Sequence, residues 1–248
     1  MPESVTLVPA PATPRLLFCG VIFNCSALLF DLDGVLVDST PAVARTWRAW
    51  AIEHHLDPEV AISKAHGRRS IETIQELAPH LDAEEENKRV ERMEIDDREG
   101  VVALPGAARI LRVLPPERYA IVTSATKELA LARLGYAGLP APANLVSADD
   151  VRDGKPSPEP YLAGAKLLGM NIQDCVVLED APAGINSARA AGMRVIALET
   201  TYPAQELEGA DAVVKSLDEV EINCEAKRIE CRIAQSVASS QHLQFPRF

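Results

Sequence analysis

The sequence has no long apolar run, no excess of positive charge and no paired cysteine motif, and each absence excludes a class of protein. No apolar stretch reaches the roughly 18 residues that a membrane-spanning helix needs, so we expect no membrane partner. The 248 residues carry a formal net charge of −11, which argues against a nucleic-acid partner and against an anionic membrane surface. Length and composition therefore agree with a soluble enzyme, although the acidic charge by itself says little about catalysis.

The cysteines are too scattered to build a disulfide framework or a metal site. They are Cys19, Cys25, Cys175, Cys224 and Cys231. None of them forms a C-x-x-C pair, so a zinc site lacks convincing ligands. Reduced thiols in a cytoplasmic protein are the simplest account.

Short apolar runs alternate with helical stretches along most of the chain. The strand-like runs are residues 27–30, 119–123, 145–147, 175–178, 194–197 and 212–214, and the helical stretches are 127–134, 160–168 and 184–191. Short runs without polar alternation are typical of strands that are buried on both faces, and a strand–helix repeat implies parallel pairing. We predict a doubly wound α/β fold with a parallel, Rossmann-like sheet, and we expect ligands at the carboxyl ends of its strands.

Two aspartates follow the first of these runs, in the segment LLFDLDGVLVDST at residues 28–40. Residues at i and i+2 of an extended segment point the same way, so Asp31 and Asp33 would project together from the strand end. A solvated turn is the alternative explanation. Two adjacent carboxylates repel each other and raise each other's pKa, so they persist mainly where a cation or a proton transfer needs them.

Three further signals follow at the ends of other predicted elements. Ser124 closes the run 119–123, Lys155 lies in the segment DGKPSPEPY, and Glu179 with Asp180 closes the run 175–178. Together with the two aspartates, these residues resemble the four motifs of the haloacid dehalogenase superfamily, over roughly residues 24–219. The runs AHGRRS, GKPSPEPY and EDAPAGI are most similar to the branch of glycerol phosphatases and 2-deoxyglucose-6-phosphatases.

This resemblance implies a role for each motif residue. Asp31 would be the nucleophile that forms an aspartyl phosphate, and Asp33 would be the acid that protonates the leaving alkoxide and then the base that activates water. Ser124, the backbone amide of Ala125 and Thr126 would hold phosphoryl oxygens.

The resemblance also implies a cofactor, Mg²⁺. Its ligands would be the Asp31 carboxylate, the backbone carbonyl of Asp33 and the Asp180 carboxylate, with Glu179 either as a further ligand or as a partner just outside the ligand set. Lys155 would neutralise the charge of the carboxylates and the phosphate as a point cation.

The region between the first two motifs breaks the strand–helix alternation. It is rich in Ala, Glu and Arg and carries Trp47 and Trp50 at helical spacing. We predict a helical cap at residues 40–103, inserted into a core of residues 24–39 and 104–221. Residues 1–23 are predicted to be a poorly ordered extension, although 16–23 are apolar, and 222–248 a tail with a short helix and disorder.

A cluster of basic residues, His66, Arg68 and Arg69, lies within the predicted cap. A solvated loop would explain it equally well. Guanidinium groups match phosphate oxygens with paired donors, however, so these residues are candidates for substrate binding. Arg69 is the one that lines up with an arginine of the glycerol phosphatase branch.

Several activities within the superfamily stay open to different degrees. A dehalogenase needs no acid and resembles the family without the second aspartate, and a phosphonatase resembles it with a cap lysine, such as Lys64, but also without that aspartate. A sugar phosphomutase uses the same core residues, and a binding protein without turnover would keep the pocket. We predict a monomeric phosphatase for a small phosphorylated metabolite, namely a sugar or polyol phosphate.

Overall fold

In the computed structural model, which describes residues 20–225 and 228–234, short buried strands form a parallel sheet of six strands. The described strands are β1 (Gly20–Cys25), β2 (Ala27–Phe30), β3 (Val37–Asp38), β4 (Val102–Ala103), β5 (Tyr119–Val122), β6 (Leu145–Val146), β7 (Cys175–Glu179), β8 (Arg194–Leu198), β9 (Ala212–Val214), β10 (Val220–Glu225) and β11 (Arg228–Ala234). The parallel sheet has the order β6-β5-β2-β7-β8-β9. The predicted doubly wound fold is confirmed.

Helices cover both faces of this sheet. The described helices are α1 (Thr40–Glu53), α2 (Pro58–Ala65), α3 (Ser70–Leu77), α4 (Ala83–Asp96), α5 (Ala107–Val113), α6 (Lys127–Tyr136), α7 (Glu159–Leu168) and α8 (Pro182–Ala190). Alternate side chains of a strand face opposite sides. Leu28 and Phe30 therefore pack in the apolar cluster that includes α5 and α6, whereas Leu29 packs with α7 and α8 on the other face.

The first four helices form an insert with its own apolar centre. Trp47 and Trp50 are almost fully buried there, with ring centroids 5.4 Å apart in an edge-to-face arrangement. The two-stranded antiparallel pair of β3 and β4 connects this insert to the sheet. We propose that the insert is the cap, and that this pair is its hinge.

The two ends of the described chain differ from the sequence prediction. β1, β11 and β10 form an antiparallel sheet, so the boundaries set at residue 23 for an extension and at residue 222 for a tail are wrong. Alternation explains the tail: Ile229, Cys231 and Ile233 are buried while the residues between them are more exposed, which is the period of a strand with one face on the core. The predictions made for residues 1–19, 226–227 and 235–248, Cys19 included, lie outside the described residues.

Of the remaining cysteines, Cys175 is buried at the start of β7 as predicted, and Cys25, Cys175, Cys224 and Cys231 are free thiols. No helix within the described ranges is long and apolar enough to cross a membrane.

Candidate active site

Three neighbouring strands deliver the predicted catalytic groups to one edge of the sheet. β5, β2 and β7 lie side by side and in parallel, so their carboxyl ends meet. Asp31 follows β2 directly, Ser124 lies two residues beyond β5, and Glu179 with Asp180 ends β7. The sheet therefore brings together groups that lie about 55 to 150 residues apart in the chain, as expected for a doubly wound fold.

Lys155 reaches the same edge from the loop that precedes α7. Its side chain is 1% exposed, and its Nζ donates to Asp31 Oδ1 at 2.5 Å and to Glu179 Oε1 at 2.7 Å. Burial by itself lowers the pKa of Lys155, but the carboxylates of Asp31 and Glu179 outweigh it and raise that pKa above its ordinary value. Lys155 is therefore a fixed positive charge at the centre of the site.

One lysine does not balance the carboxylates around it. Ligand oxygens of Asp31, Glu179 and Asp180 lie within 4.8 Å of one another, and all three residues are buried. Burial raises the pKa of Asp31 to about 7, and Glu179 and Asp33 add to the rise while Lys155 opposes it. Burial, then Glu179 and Asp31, raise the pKa of Asp180 well above its usual range. An all-oxygen donor set with excess negative charge fits a hard divalent cation.

Glu179 is already saturated with protein donors. Its Oε1 accepts from Lys155 and from Tyr161 Oη at 2.7 Å, and its Oε2 accepts from the backbone amides of Asp180 at 2.9 Å and Ala181 at 3.2 Å. Of the two roles predicted for this residue, the arrangement favours the partner outside the ligand set. Glu179 orients Lys155 and the Asp180 loop.

Gly34 lets the first motif loop pass close to Asp180. Its φ is +76°, and a Cβ at this position would overlap the Asp180 carboxylate. A side chain there would be strained in conformation and would displace that carboxylate. The glycine of the Asp-x-Asp-Gly motif is therefore required by the acidic cluster itself.

Asp33 lies on the side of the site that faces the insert, and both of its oxygens have partners. Oδ1 accepts from Ser39 Oγ at 2.6 Å, and Oδ2 accepts from Arg133 Nη1 at 2.8 Å. Arg133 Nη2 donates in turn to Glu94 Oε2 at 2.9 Å, and Trp47 Nε1 donates to Glu94 Oε1 at 3.2 Å. The sequence interpretation missed this chain of contacts.

A signal for the missed pair is present in the sequence. Arg133 occupies a buried position of α6 together with Leu129, Ala130 and Leu134, and Glu94 occupies a buried position of α4 four residues after Val90. A charged residue in the apolar stripe of an amphipathic helix is unusual unless it is paired.

The predicted phosphate-binding residues divide into two groups. Ser124 and Ala125 line a cavity together with Asp31 and Asp33. Thr126 is not among the lining residues; it occupies the N-cap position of α6 without a side-chain capping hydrogen bond. The Ala125 amide donates to Thr123 Oγ1 at 3.1 Å, and Ser124 Oγ donates to the carbonyl of Gly67 in the insert at 3.3 Å. The insert thus contacts the loop that was predicted to bind phosphate.

The basic cluster also divides. His66 and Arg68 line the cavity, and burial lowers the pKa of His66. Arg69 is not among the lining residues: its guanidinium donates to the carbonyls of Arg152 at 2.8 Å and Ala148 at 3.4 Å. Its predicted contact with substrate stays a prediction. Arg69 has extended backbone angles, and adjacent side chains of an extended segment point to opposite sides.

The cavity enclosed by these elements is small, about 50 Å³. Asp31, Asp33 and the loop of Ser124 and Ala125 line one side, and residues of the insert line the other, among them Val43, Trp47, His66, Arg68 and Glu94. An anionic group held above Asp31 would leave the rest of its molecule facing the insert. The arrangement is suited to nucleophilic attack by Asp31 with Asp33 as acid.

Comparisons with known proteins agree with this geometry. The chain is 44% identical to hexitol phosphatase A of Escherichia coli over 80% of its length and 94% of that protein. It is 36% identical to glycerol-1-phosphate phosphohydrolase 2 of Saccharomyces cerevisiae, over 83% of this chain and 89% of that one. A solved structure of a putative β-phosphoglucomutase from Bacteroides vulgatus superposes with a TM-score of 0.65 at 31% identity, over 78% of this chain and 84% of that one.

The model of one protein family matches most of the sheet and the whole insert. It is the model of the haloacid dehalogenase-like hydrolases, and it matches residues 25–192. That range contains Asp31, Asp33, Ser124, Lys155 and Asp180. The chain therefore belongs to the haloacid dehalogenase-like hydrolases.

Proposed function

We propose that this protein is a magnesium-dependent phosphatase that hydrolyses a small sugar or polyol phosphate monoester through an aspartyl phosphate. The observation that carries the proposal is the pair of aspartates under the insert. Asp31 is buried and held by Lys155 at 2.5 Å, and Asp33 lines the same cavity on the side of the insert. A nucleophile, Asp31, and an acid, Asp33, can therefore act on the same bound substrate.

In the first step a carboxylate oxygen of Asp31 attacks phosphorus while the bond from phosphorus to the ester oxygen breaks. Asp33 gives its proton to the leaving alkoxide, which departs as an alcohol. The Ser124 hydroxyl donates a hydrogen bond to a phosphoryl oxygen. Lys155 stays beside Asp31 throughout because its Nζ also contacts Glu179 at 2.7 Å. The Ser124 hydroxyl and the Lys155 ammonium both stabilise the negative charge that builds up around phosphorus.

In the second step Asp33, now ionised, takes a proton from water, and the water oxygen attacks phosphorus. The bond from phosphorus to Asp31 breaks, inorganic phosphate leaves, and Asp31 is a carboxylate again. Asp33 ends the cycle with the proton that it began with. The insert, which contacts the phosphate-binding loop through Gly67 and Ser124 at 3.3 Å, restricts the access of water until the alcohol has left.

The acidic cluster supports a requirement for Mg²⁺. The carboxylates of Asp31 and Asp180 and the backbone carbonyl of Asp33 would hold the ion, and Glu179 would position them from outside the ligand set. When bound, the ion supplies the positive charge that an anionic phosphate needs beside several carboxylates.

The relatives support the substrate class. Hexitol phosphatase A and glycerol-1-phosphate phosphohydrolase 2 are named for polyol phosphates, and the cavity of this chain is small and rich in polar groups. Asp33 argues against a dehalogenase or a phosphonatase, since neither needs the second aspartate. We also propose that the protein is a soluble cytoplasmic monomer that binds neither nucleic acid nor membranes.

The proposal is tested by incubating the purified protein with Mg²⁺ and a panel of hexitol, glycerol and sugar phosphates, together with an aryl phosphate. We expect release of inorganic phosphate from at least one polyol or sugar phosphate, loss of activity on exhaustive chelation and recovery on addition of Mg²⁺. Conversion of a sugar phosphate into an isomer without phosphate release would instead identify a phosphomutase. No turnover of any panel member, with ligand binding retained, would identify a binding protein.

A further inference from the structure

A buried chain of polar groups runs from the proposed acid into the insert. Asp33, Arg133, Glu94 and Trp47 are joined by hydrogen bonds of 2.8, 2.9 and 3.2 Å. Arg133 is 5% exposed and Glu94 is 4% exposed. Arg133 comes from α6 of the core and Glu94 from α4 of the insert, so their ion pair crosses the boundary between the two.

A buried ion pair is an expensive way to hold two elements together. Removing charges from water costs several kcal/mol per ion, and apolar residues of similar volume often stabilise a fold as well or better. The neighbouring contact between Tyr136 of α6 and the carbonyl of Ile95 in α4, at 2.7 Å, shows that α4 and α6 also meet without charges. The pair therefore calls for an explanation beyond packing.

Arg133 and Glu94 lie next to the place where the leaving group is protonated. Asp33 has to reach within hydrogen-bonding distance of the ester oxygen to protonate it, and Arg133 contacts Asp33 at 2.8 Å on the side of the insert. A hydroxyl on the first carbons after the ester oxygen would therefore lie next to the guanidinium of Arg133 and, one contact further, next to the Glu94 carboxylate.

The chemistry of the cavity wall at this point matches a polyol. Arg133 and Glu94 both line the cavity, and Val43, Trp47 and Leu129 line it beside them. Apolar side chains suit the C–H groups of a sugar or polyol, whereas a guanidinium and a carboxylate bind hydroxyls as donor and acceptor. Arg133 has five N–H donors, and its contacts to Asp33 and Glu94 use two of them.

We propose that Glu94 and Arg133 determine substrate specificity by binding the hydroxyl groups of the leaving alcohol nearest the phosphate. The inference rests on the proposed phosphatase activity and makes it more specific. A site built to bind hydroxyls rejects an analogue that lacks them, because its buried polar groups are then left unpaired. The enzyme therefore prefers a polyol phosphate to an alkyl phosphate of the same length.

The test compares substrate pairs that differ only in their hydroxyls. Sorbitol 6-phosphate is paired with n-hexyl phosphate, and glycerol 3-phosphate with n-propyl phosphate, and kcat/KM is measured for wild type and Glu94→Gln. The pair with the more active polyol is used. We expect Glu94→Gln to reduce the ratio of polyol to alkyl kcat/KM by about tenfold to a hundredfold, the usual size of a hydrogen bond to a charged group. The rate for the alkyl phosphate, which has no hydroxyl for the pair to bind, falls by a smaller factor.

Glu86→Gln is the matched control. Glu86 is also a carboxylate of α4 that accepts from a buried tryptophan, Trp50 Nε1 at 2.8 Å, and it is not among the residues that line the cavity. The same chemical change there leaves the ratio unaltered. If Glu94→Gln does not fold, Arg133→Lys is used instead, because it keeps the charge but loses the forked donor geometry. The ratio of polyol to alkyl kcat/KM falls in that variant too, even if kcat/KM declines for both substrates.

Two results overturn the inference while the proposed function stands. Equal losses of kcat/KM on the polyol and alkyl phosphates would mean that the pair acts only through Asp33 or through the fold. An unchanged ratio in both Glu94→Gln and Arg133→Lys would remove the pair from recognition. Hydrolysis of an aryl phosphate without any preference for polyol over alkyl phosphate in wild type would contradict the proposed substrate class as well.

Discussion

The two sides of the cavity are built in different ways. On the sheet side, Asp31 and Glu179 lie at the ends of strands and are held by buried contacts of 2.5 and 2.7 Å to Lys155, which comes from the loop before α7. On the insert side, Glu94 of α4 contacts Arg133, which comes from α6 of the core. Arg68 extends from the turn between α2 and α3. The sheet side is thus fixed by the fold, whereas the insert side depends on how the insert lies on the core.

This difference suggests a division of work. Groups that attack phosphorus or carry its charge need positions fixed to within a fraction of an ångström, and strand ends provide such positions. Groups that select the leaving alcohol only need to meet it once the insert has closed. We therefore expect substitutions on the sheet side to affect every substrate equally, and substitutions on the insert side to discriminate between substrates.

The largest effect is expected at the nucleophile. Asp31→Asn replaces the carboxylate with an amide of similar shape, which is a poor nucleophile. Steady-state assays should give a kcat at least a hundredfold lower for every substrate, or more than about 2.7 kcal/mol of barrier. Asp82→Asn, at the exposed N-cap of α4, is the control, since asparagine caps helices as well as aspartate does. Retention of more than a hundredth of the activity would exclude Asp31 as the nucleophile.

A large effect on stability is expected at Lys155. Lys155→Met leaves the buried carboxylates of Asp31 and Glu179 without their ammonium partner, and loss of one member of a buried pair costs about 3 to 5 kcal/mol. Urea denaturation in the absence of divalent cations should report this fall in the free energy of unfolding. Lys166→Met, an exposed position of α7, should change it by less than about 0.5 kcal/mol. Equal stability of the two variants would show that the ion pairs at Lys155 contribute little.

The smallest effects are expected at the two arginines of the basic cluster. They distinguish a residue that lines the cavity from one that only attaches the insert to the core. Arg68 lines the cavity, so Arg68→Ala should lower kcat/KM for a polyol phosphate by about tenfold and that for an aryl phosphate much less. Arg69 ties the insert to core carbonyls, so Arg69→Ala should lower both by a similar, few-fold factor. The reverse pattern would mean that Arg69 turns into the cavity when substrate binds.

The sequence predicted the sheet side well for a physical reason. Asp31, Ser124 and Asp180 each follow a short apolar run, and the runs that they follow are the central strands β2, β5 and β7. Because parallel strands end at the same edge, local patterns along the chain were sufficient to bring these residues together.

The sequence could not predict contacts that depend on how separate elements pack. The pair of Glu94 and Arg133 joins two helices whose relative position no local pattern encodes, although a charge in each apolar stripe marked them as unusual. The pairing of Gly20–Cys25 with Arg228–Ala234 joins the two ends of the described chain. Whether Arg68 or Arg69 faces the cavity depends on a shift of one residue, which reverses the side to which an extended residue points.

The most direct test of the central claim is to trap the covalent intermediate. Wild-type protein is mixed with Mg²⁺ and a polyol phosphate that carries a radiolabelled phosphoryl group, and the reaction is quenched in acid during turnover. We predict label bound covalently to the wild-type chain in the peptide that contains Asp31, and none in Asp31→Asn. An actively turning-over wild type without protein-bound label, or label that persists in Asp31→Asn, would contradict the account.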